Sequence, residues 1–195
     1  MPDVVDRVLQ LRDRYRFMLG EKEKLESQLD ELGEREELIR KASALVQEVA
    51  QTVQSNLQDL LSSFVTEGLE AVFPDPYQFK VEFVPRRKQV EVEMSLVRDG
   101  MEVPPLDSTG GGVVDVVGFM LRLAFWAFTQ GGRPIMLIDE PFKNLSADLH
   151  ELAGELLKGM SERLGIQLLT ITHLRGLISQ ADKVFTLGDG EYAGH

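Results

Sequence analysis

From Leu11 to Phe64, apolar residues return at alternating steps of four and three, and the register never breaks. The seam reads Leu11, Tyr15, Met18, Lys22, Leu25, Leu29, Leu32, Glu36, Ile39, Ser43, Val46, Ala50, Val53, Leu57, Leu60 and Phe64, and thirteen of these sixteen positions are apolar. Sustained a/d periodicity of this length predicts a coiled-coil helix rather than a globular one. The residues between are charge-rich, as in Glu21-Lys22-Glu23-Lys24 and Glu34-Arg35-Glu36-Glu37, as solvated outer faces should be. A straight helix over this stretch would be roughly 80 Å long at about 1.5 Å per residue, and a lone exposed helix of that length needs a partner helix. Gly33 and the polar seam residues Lys22, Glu36 and Ser43 mark weaker places, or a point where two helices separate. The competing reading is an amphipathic helix packed on its own domain. Residues 1–66 are therefore expected to form a helical arm, and residues 67–195 a separate lobe.

Composition changes near Phe73-Pro74-Asp75-Pro76. Phe79, Val81 and Phe83, then Val90, Val92, Met94 and Leu96, alternate with polar residues, which predicts two antiparallel strands. Their connection, Pro85-Arg86-Arg87-Lys88, is a basic turn that reads either as a phosphate contact or as a charged hairpin tip.

The segment Arg133-Pro134-Ile135-Met136-Leu137-Ile138-Asp139-Glu140-Pro141 runs four apolar residues into two carboxylates and a proline. Such a run between turn signals predicts a buried parallel strand, and ligands bind at the carboxyl ends of such strands. Two carboxylates there call for a metal or a reacting water, although a solvated acidic turn would look the same. The form is that of a Walker B segment, with Asp139 holding Mg²⁺ through water and Glu140 polarising the attacking water. Downstream, Ser146 is expected to cap a helix carrying Leu149, Leu152, Ala153, Leu156, Leu157, Met160 and Leu164, and Gly165 to close it. Ile166 to Thr172 reads as a second buried strand ending at His173, and Lys183 to Leu187 as a third after a short helix from Leu174 to Ala181. Strand, helix, strand, helix, strand predicts a parallel α/β layer. It sets His173 on the same sheet edge as Asp139 and Glu140.

Upstream of this layer, Asp107-Ser108-Thr109-Gly110-Gly111-Gly112 leads directly into a helix, Val113 to Trp126, that is apolar nearly all round and hence expected to be buried. Glycines bring backbone N–H groups close to a ligand, and a helix start carries partial positive charge, so the pair suits a phosphate; a flexible joint would also look like this.

The net charge of −11 counts against a surface coated in nucleic acid, and the absence of cysteine excludes disulfides and thiolate metal sites. No signal peptide is evident at the N-terminus, and the apolar stretch Val113 to Phe128 carries Asp115 and Arg122, so a cytoplasmic protein without a membrane span is expected.

A glycine loop and helix, an apolar strand ending Asp-Glu-Pro, then Asn-Leu-Ser, then a strand ending Thr-His is the order found in ABC-type ATPases. With a coiled coil in front, the chain resembles the C-terminal half of an SMC-like ATPase. It looks most like the subunits that partner a nuclease in double-strand-break repair, phage recombination versions included. The resemblance covers about residues 67–195. It implies an α/β fold: the C-terminal lobe of an ABC/SMC-type head, with a parallel sheet and helices, a small antiparallel hairpin and a long N-terminal coiled-coil helix.

By that resemblance Ser108, Thr109, Gly110, Gly111 and Gly112 match the signature motif that contacts the γ-phosphate of ATP held by an opposing head. Asp139 matches the magnesium residue, Glu140 the general base, Asn144-Leu145-Ser146 the D-loop, and His173 the switch histidine. The implied cofactors are ATP and Mg²⁺. The implied partners are a Walker A-bearing N-terminal lobe, a second ATPase head, a nuclease subunit, and DNA reached through the assembled complex. The signature lacks the usual leading Leu-Ser and ends in Gly112, Ser146 replaces the common D-loop aspartate, and no Gly-x-x-x-x-Gly-Lys-Ser/Thr occurs. The expected nucleotide site is thus half a site, completed by a separate chain or by a further part of a longer protein, with little ATP affinity of its own. A non-catalytic coiled-coil scaffold with an ABC-like lobe is the alternative. A metal-dependent hydrolase fits less well, because adjacent side chains on a strand diverge.

Overall fold

Helix α1 spans Val4–Val72, six residues past the expected boundary. It belongs to a computed structural model that describes residues 4–87, 89–104, 110–129, 133–187 and 192–194. The chain divides into two compact units, residues 1–53 and 54–195. In the first, every described residue is exposed, the seam from Leu11 to Val53 included. In the second, the last turns of α1 bury Val65, Leu69 and Val72 completely. The same 3-4 spacing thus makes an open stripe in one unit and a core helix in the other. The helix stops where Phe73 N–H bonds back to Leu69 O at 2.9 Å, and Pro74 and Pro76 forbid continuation.

The expected hairpin forms from β1 (Gln78–Arg86) and β2 (Gln89–Arg98), paired antiparallel with Phe79 opposite Leu96 and Val81 opposite Met94. A short β3 (Met101–Val103) extends it through an Asp99-Gly100 turn. Both turn residues have positive φ, +53° and +75°, as a two-residue hairpin turn requires. The outer edge of β1 is capped by α1: Phe79 N–H donates to Thr66 Oγ1 at 2.9 Å and Val81 N–H to Ser62 Oγ at 3.2 Å. Ser62 and Thr66 are one helical turn apart and match alternate strand residues, which blunts an edge that would otherwise recruit another strand.

Helix α2 (Gly111–Thr129) is the core's central element, with Val116, Met120 and Leu123 fully buried. Gly68 lets α1 close on it, since a Cβ there would sit 2.6 Å from Met120 Sδ. By length and hydropathy α2 passes for a membrane span, yet eight of its residues are buried within the lobe, as in a core helix. Its burial is one-sided rather than complete: Phe125 is 72% exposed, so apolar composition all round does not mean cover all round.

Strands β4 (Ile135–Asp139) and β5 (Gln167–Ile171) pair in parallel, Ile135 opposite Gln167 and Asp139 opposite Ile171. A 3-10 turn (Ala147–Leu149) and α3 (His150–Leu164) connect them. Gly165 closes α3 at φ +63°, the left-handed stop read from the sequence. Ser146 occupies the cap position of the 3-10 turn but its side chain makes no capping bond. The short α4 (Arg175–Ile178) follows β5.

Two expectations are corrected. The third strand, β6 (Phe185–Leu187), is not part of the parallel layer; it pairs antiparallel with β7 (Tyr192–Gly194). Nor are β4 and β5 buried on both faces. Met136, Ile138 and Leu168 turn towards the core, while Leu137, Ile171, Leu169 and Ile135 are 71%, 61%, 45% and 40% exposed.

Candidate functional site

The carboxyl ends of β4 and β5 bring Glu140 and His173 together. Glu140 N–H donates to Ile171 O at 2.9 Å, which carries the parallel ladder one residue past β4. Beyond it the chain turns sharply. Glu140 and Phe142 both have left-handed backbones, φ +44° and +62°. A side chain costs energy in that region, and such residues persist only where the surroundings hold them. Phe142 supplies the hold: its ring is 1% exposed and packs edge-on against Phe119 of α2, centroids 5.3 Å apart. Pro141 between them is also buried.

His173 Nδ1 lies 3.1 Å from Glu140 Oε1 and 3.0 Å from Oε2. The directed hydrogen bond goes to Oε1. Oε2 is buried and has no hydrogen-bond partner of its own among the described residues. With a carboxylate as acceptor, Nδ1 carries the proton and donates, leaving Nε2 for another partner. The His173 ring is exposed.

Asp139 is exposed, in alternation with Ile135 and Leu137, and so belongs to the uncovered face. It makes no hydrogen bond or salt bridge among the described residues. Adjacent in sequence, Asp139 and Glu140 thus serve different surroundings. Among the described residues no three His, Asp or Glu side chains gather as a metal-ligand set. That disfavours a hydrolase with Asp139, Glu140 and His173 around one ion. A single free carboxylate does suit Mg²⁺, which keeps several waters and takes one or two carboxylates together with phosphate oxygens.

The glycine loop forms a second group. Ser108 and Thr109 lie outside the described residues. Gly110 has open space where a Cβ would be, whereas Gly111 and Gly112 do not. A Cβ on Gly111 would meet Asn144 Cβ at 2.8 Å, and one on Gly112 would meet Leu145 Cδ1 at 2.8 Å. The second and third glycines are therefore explained by close packing of α2 on the Asn144-Leu145 turn. Asp115, one helical turn on, accepts two hydrogen bonds from Asn144: from its backbone N–H at 3.0 Å and from Nδ2 at 3.2 Å. Sequence reading noted Asp115 only as a charge in an apolar stretch; the signal was its i,i+4 relation to Gly111. His150 Nε2, 3.1 Å from Leu145 O, holds the same turn from α3. No hydrogen bond among the described residues joins this group to Glu140 and His173; the Pro141-Phe142-Lys143 corner connects them.

In the basic turn, Arg86 is paired with two carboxylates. Arg86 lies 3.4 Å from Glu91 and 2.6 Å from Glu93, and Lys88 lies outside the described residues. For Arg86, a charged hairpin tip accounts for the position better than a phosphate contact.

The sequence matches no protein-family model and no curated protein. Solved structures do resemble it. An Smc head domain with a coiled coil and joint, derived from Pyrococcus yayanosii, is 18% identical with a TM-score of 0.63, over 98% of this chain and 35% of that one. A chain described in terms of ATP-driven dimerization and DNA-stimulated activation of SMC ATPases is 17% identical with a TM-score of 0.56, over 74% and 87%. An Smc head bound to the C-winged helix domain of ScpA is 18% identical with a TM-score of 0.56, over 71% and 42%. The chain thus spans about a third of the first of these and under half of the last. The fold is that of an SMC head fragment with its coiled coil: mixed α/β, with a long N-terminal helix, an antiparallel hairpin and parallel strands.

Proposed function

We propose that this chain is the C-terminal lobe of an SMC-like ATPase acting in DNA repair or recombination, and that it hydrolyses ATP once a lobe bearing a Walker A loop completes the site. The observation that carries this reading is the Glu140–His173 contact at the carboxyl end of β4 and β5, beside a bare apolar sheet face. A general base has to reach the attacking water, and a histidine hydrogen-bonded to it links that base to charge on the same phosphate. Glu140 orients and deprotonates the water; His173 senses the γ-phosphate. Asp139 would hold Mg²⁺, which when bound offsets charge developing on the phosphate oxygens.

Ser108, Thr109 and Gly110 to Gly112 contact the γ-phosphate held by an opposing head, and Asn144 lines the same junction. The two-group arrangement supports this division, since the glycine loop is built onto the Asn144 turn rather than onto Glu140. The ATP-driven dimerization described for an SMC neighbour supports the sandwich. The motif order resembles that of the double-strand-break-repair branch, which favours a nuclease subunit as a partner in the cytoplasm. A net charge of −11 favours DNA contact through the assembled complex rather than along this chain.

The test is ATP turnover by this chain with and without a Walker A-bearing lobe. Hydrolysis is expected only in the mixture, with Mg²⁺- and ATP-dependent association of the two. Assembly that ignores nucleotide would instead favour a coiled-coil scaffold with an ABC-like lobe.

A further inference from the structure

We infer that Asp115 is a positioning residue: its carboxylate clasps Asn144 and fixes the Asn144-Leu145 turn on the first turns of α2. The inference rests on the proposed ATPase reading for its consequence, but the clasp stands on geometry. Each carboxylate oxygen of Asp115 accepts from Asn144, Oδ2 from the backbone N–H at 3.0 Å and Oδ1 from the side-chain amide at 3.2 Å. Hydrogen bonds to an ionised acceptor are the strong ones, and a paired set also fixes orientation. Gly111 and Asp115 are four residues apart and Gly112 and Asp115 three, so all three share one helix face. That face lacks Cβ atoms where Asn144 and Leu145 press against it. Shape and hydrogen bonding therefore specify the same docked arrangement from two independent directions.

A carboxylate this close to a helix start is unexpected if that start meets a phosphate, because like charges repel. The two Asn144 donors offset that charge and turn it towards the turn. The clasp thereby makes the start of α2 and the Asn144 turn one rigid piece. A nucleotide bridging two heads would meet both at fixed spacing. Asp115 itself touches no nucleotide.

The experiment compares Asp115→Ala and Asp115→Asn in the full chain, alone and mixed with a Walker A-bearing lobe. In the chain alone, amide exchange at Asn144 is expected to quicken about tenfold or more in Asp115→Ala, as loss of a charge-assisted bond requires. In the mixture, kcat for ATP is expected to fall about tenfold or more with KM nearly unchanged, the mark of lost alignment rather than lost binding. Asp115→Asn keeps one acceptor oxygen but loses the charge and the second acceptor, so both effects should fall between those of the unmodified chain and Asp115→Ala. Unchanged exchange at Asn144, a KM effect as large as the kcat effect, or failure of Asp115→Asn to recover either would overturn the assignment. Absence of turnover in the unmodified mixture would instead sink the ATPase reading and leave the clasp to be judged by exchange alone.

Discussion

The two faces of the β4–β5 sheet have similar compositions and opposite fates. Ile138, Met136 and Leu168 pack into the core beneath α2 and α3, whereas Ile135, Leu137, Leu169 and Ile171 stand in solvent. The difference lies not in the strands but in what the rest of the chain supplies to cover them. An apolar side chain gains about 1.5–3 kcal/mol on full burial. Four such residues stand bare, with Asp139 among them and Glu140 at the rim, and the proposed function assigns this surface to a second lobe.

Substitutions can break that contrast. Ile138→Asp should cost about 3–5 kcal/mol, as an unpaired buried charge does, and should abolish cooperative thermal unfolding of the lobe. Glu140→Gln should leave the fold intact but cut turnover of the completed enzyme by about a hundredfold to a thousandfold, with the ATP-bound assembly persisting in size-exclusion chromatography. Normal turnover by that variant would remove Glu140 from its role. Leu137→Asp, one residue from Ile138 but on the other face, should leave the melting temperature of the isolated chain nearly unchanged. It should weaken association with the Walker A lobe by about thirtyfold in titration calorimetry, as loss of an interface anchor worth about 2 kcal/mol would. A large drop in melting temperature here would mean that the face is not bare. Arg86→Ala, which removes the guanidinium paired with Glu91 and Glu93, should change stability by less than about 0.5 kcal/mol and leave salt-dependent DNA binding by the assembly unaltered.

Much of this architecture was legible in the sequence because periodicity reports local geometry directly. The seam of α1, the alternation of β1 and β2, the left-handed stop at Gly165 and the shared edge of Glu140 and His173 all follow from spacing and residue type. What covers an apolar stripe is not encoded in the stripe. Leu137 and Phe125 therefore read as core and are exposed, while the helix whose seam predicts a coiled coil goes on to bury Val65, Leu69 and Val72, off that seam, in the lobe. Isolation of β6 from the parallel pair was equally hidden, since pairing partners are set by tertiary contacts. Asp99-Gly100 carries the two-residue turn signal that leads into β3. Asp115 was obscured by its surroundings: a lone carboxylate on an apolar helix reveals its purpose only when Asn144 is seen across from it.

The left-handed backbone at Glu140 has a consequence for engineering. Glycine would sit there without steric penalty, a relief of roughly 1 kcal/mol that the greater freedom of the unfolded chain offsets by about 0.4–1 kcal/mol, so Glu140→Gly should leave the melting temperature nearly unchanged while removing the proposed base. At Phe142 the same exchange would lose a buried ring and cannot help. A screen for thermal tolerance alone would therefore pass over loss of the proposed base at one position and reject the same exchange at its neighbour two residues away.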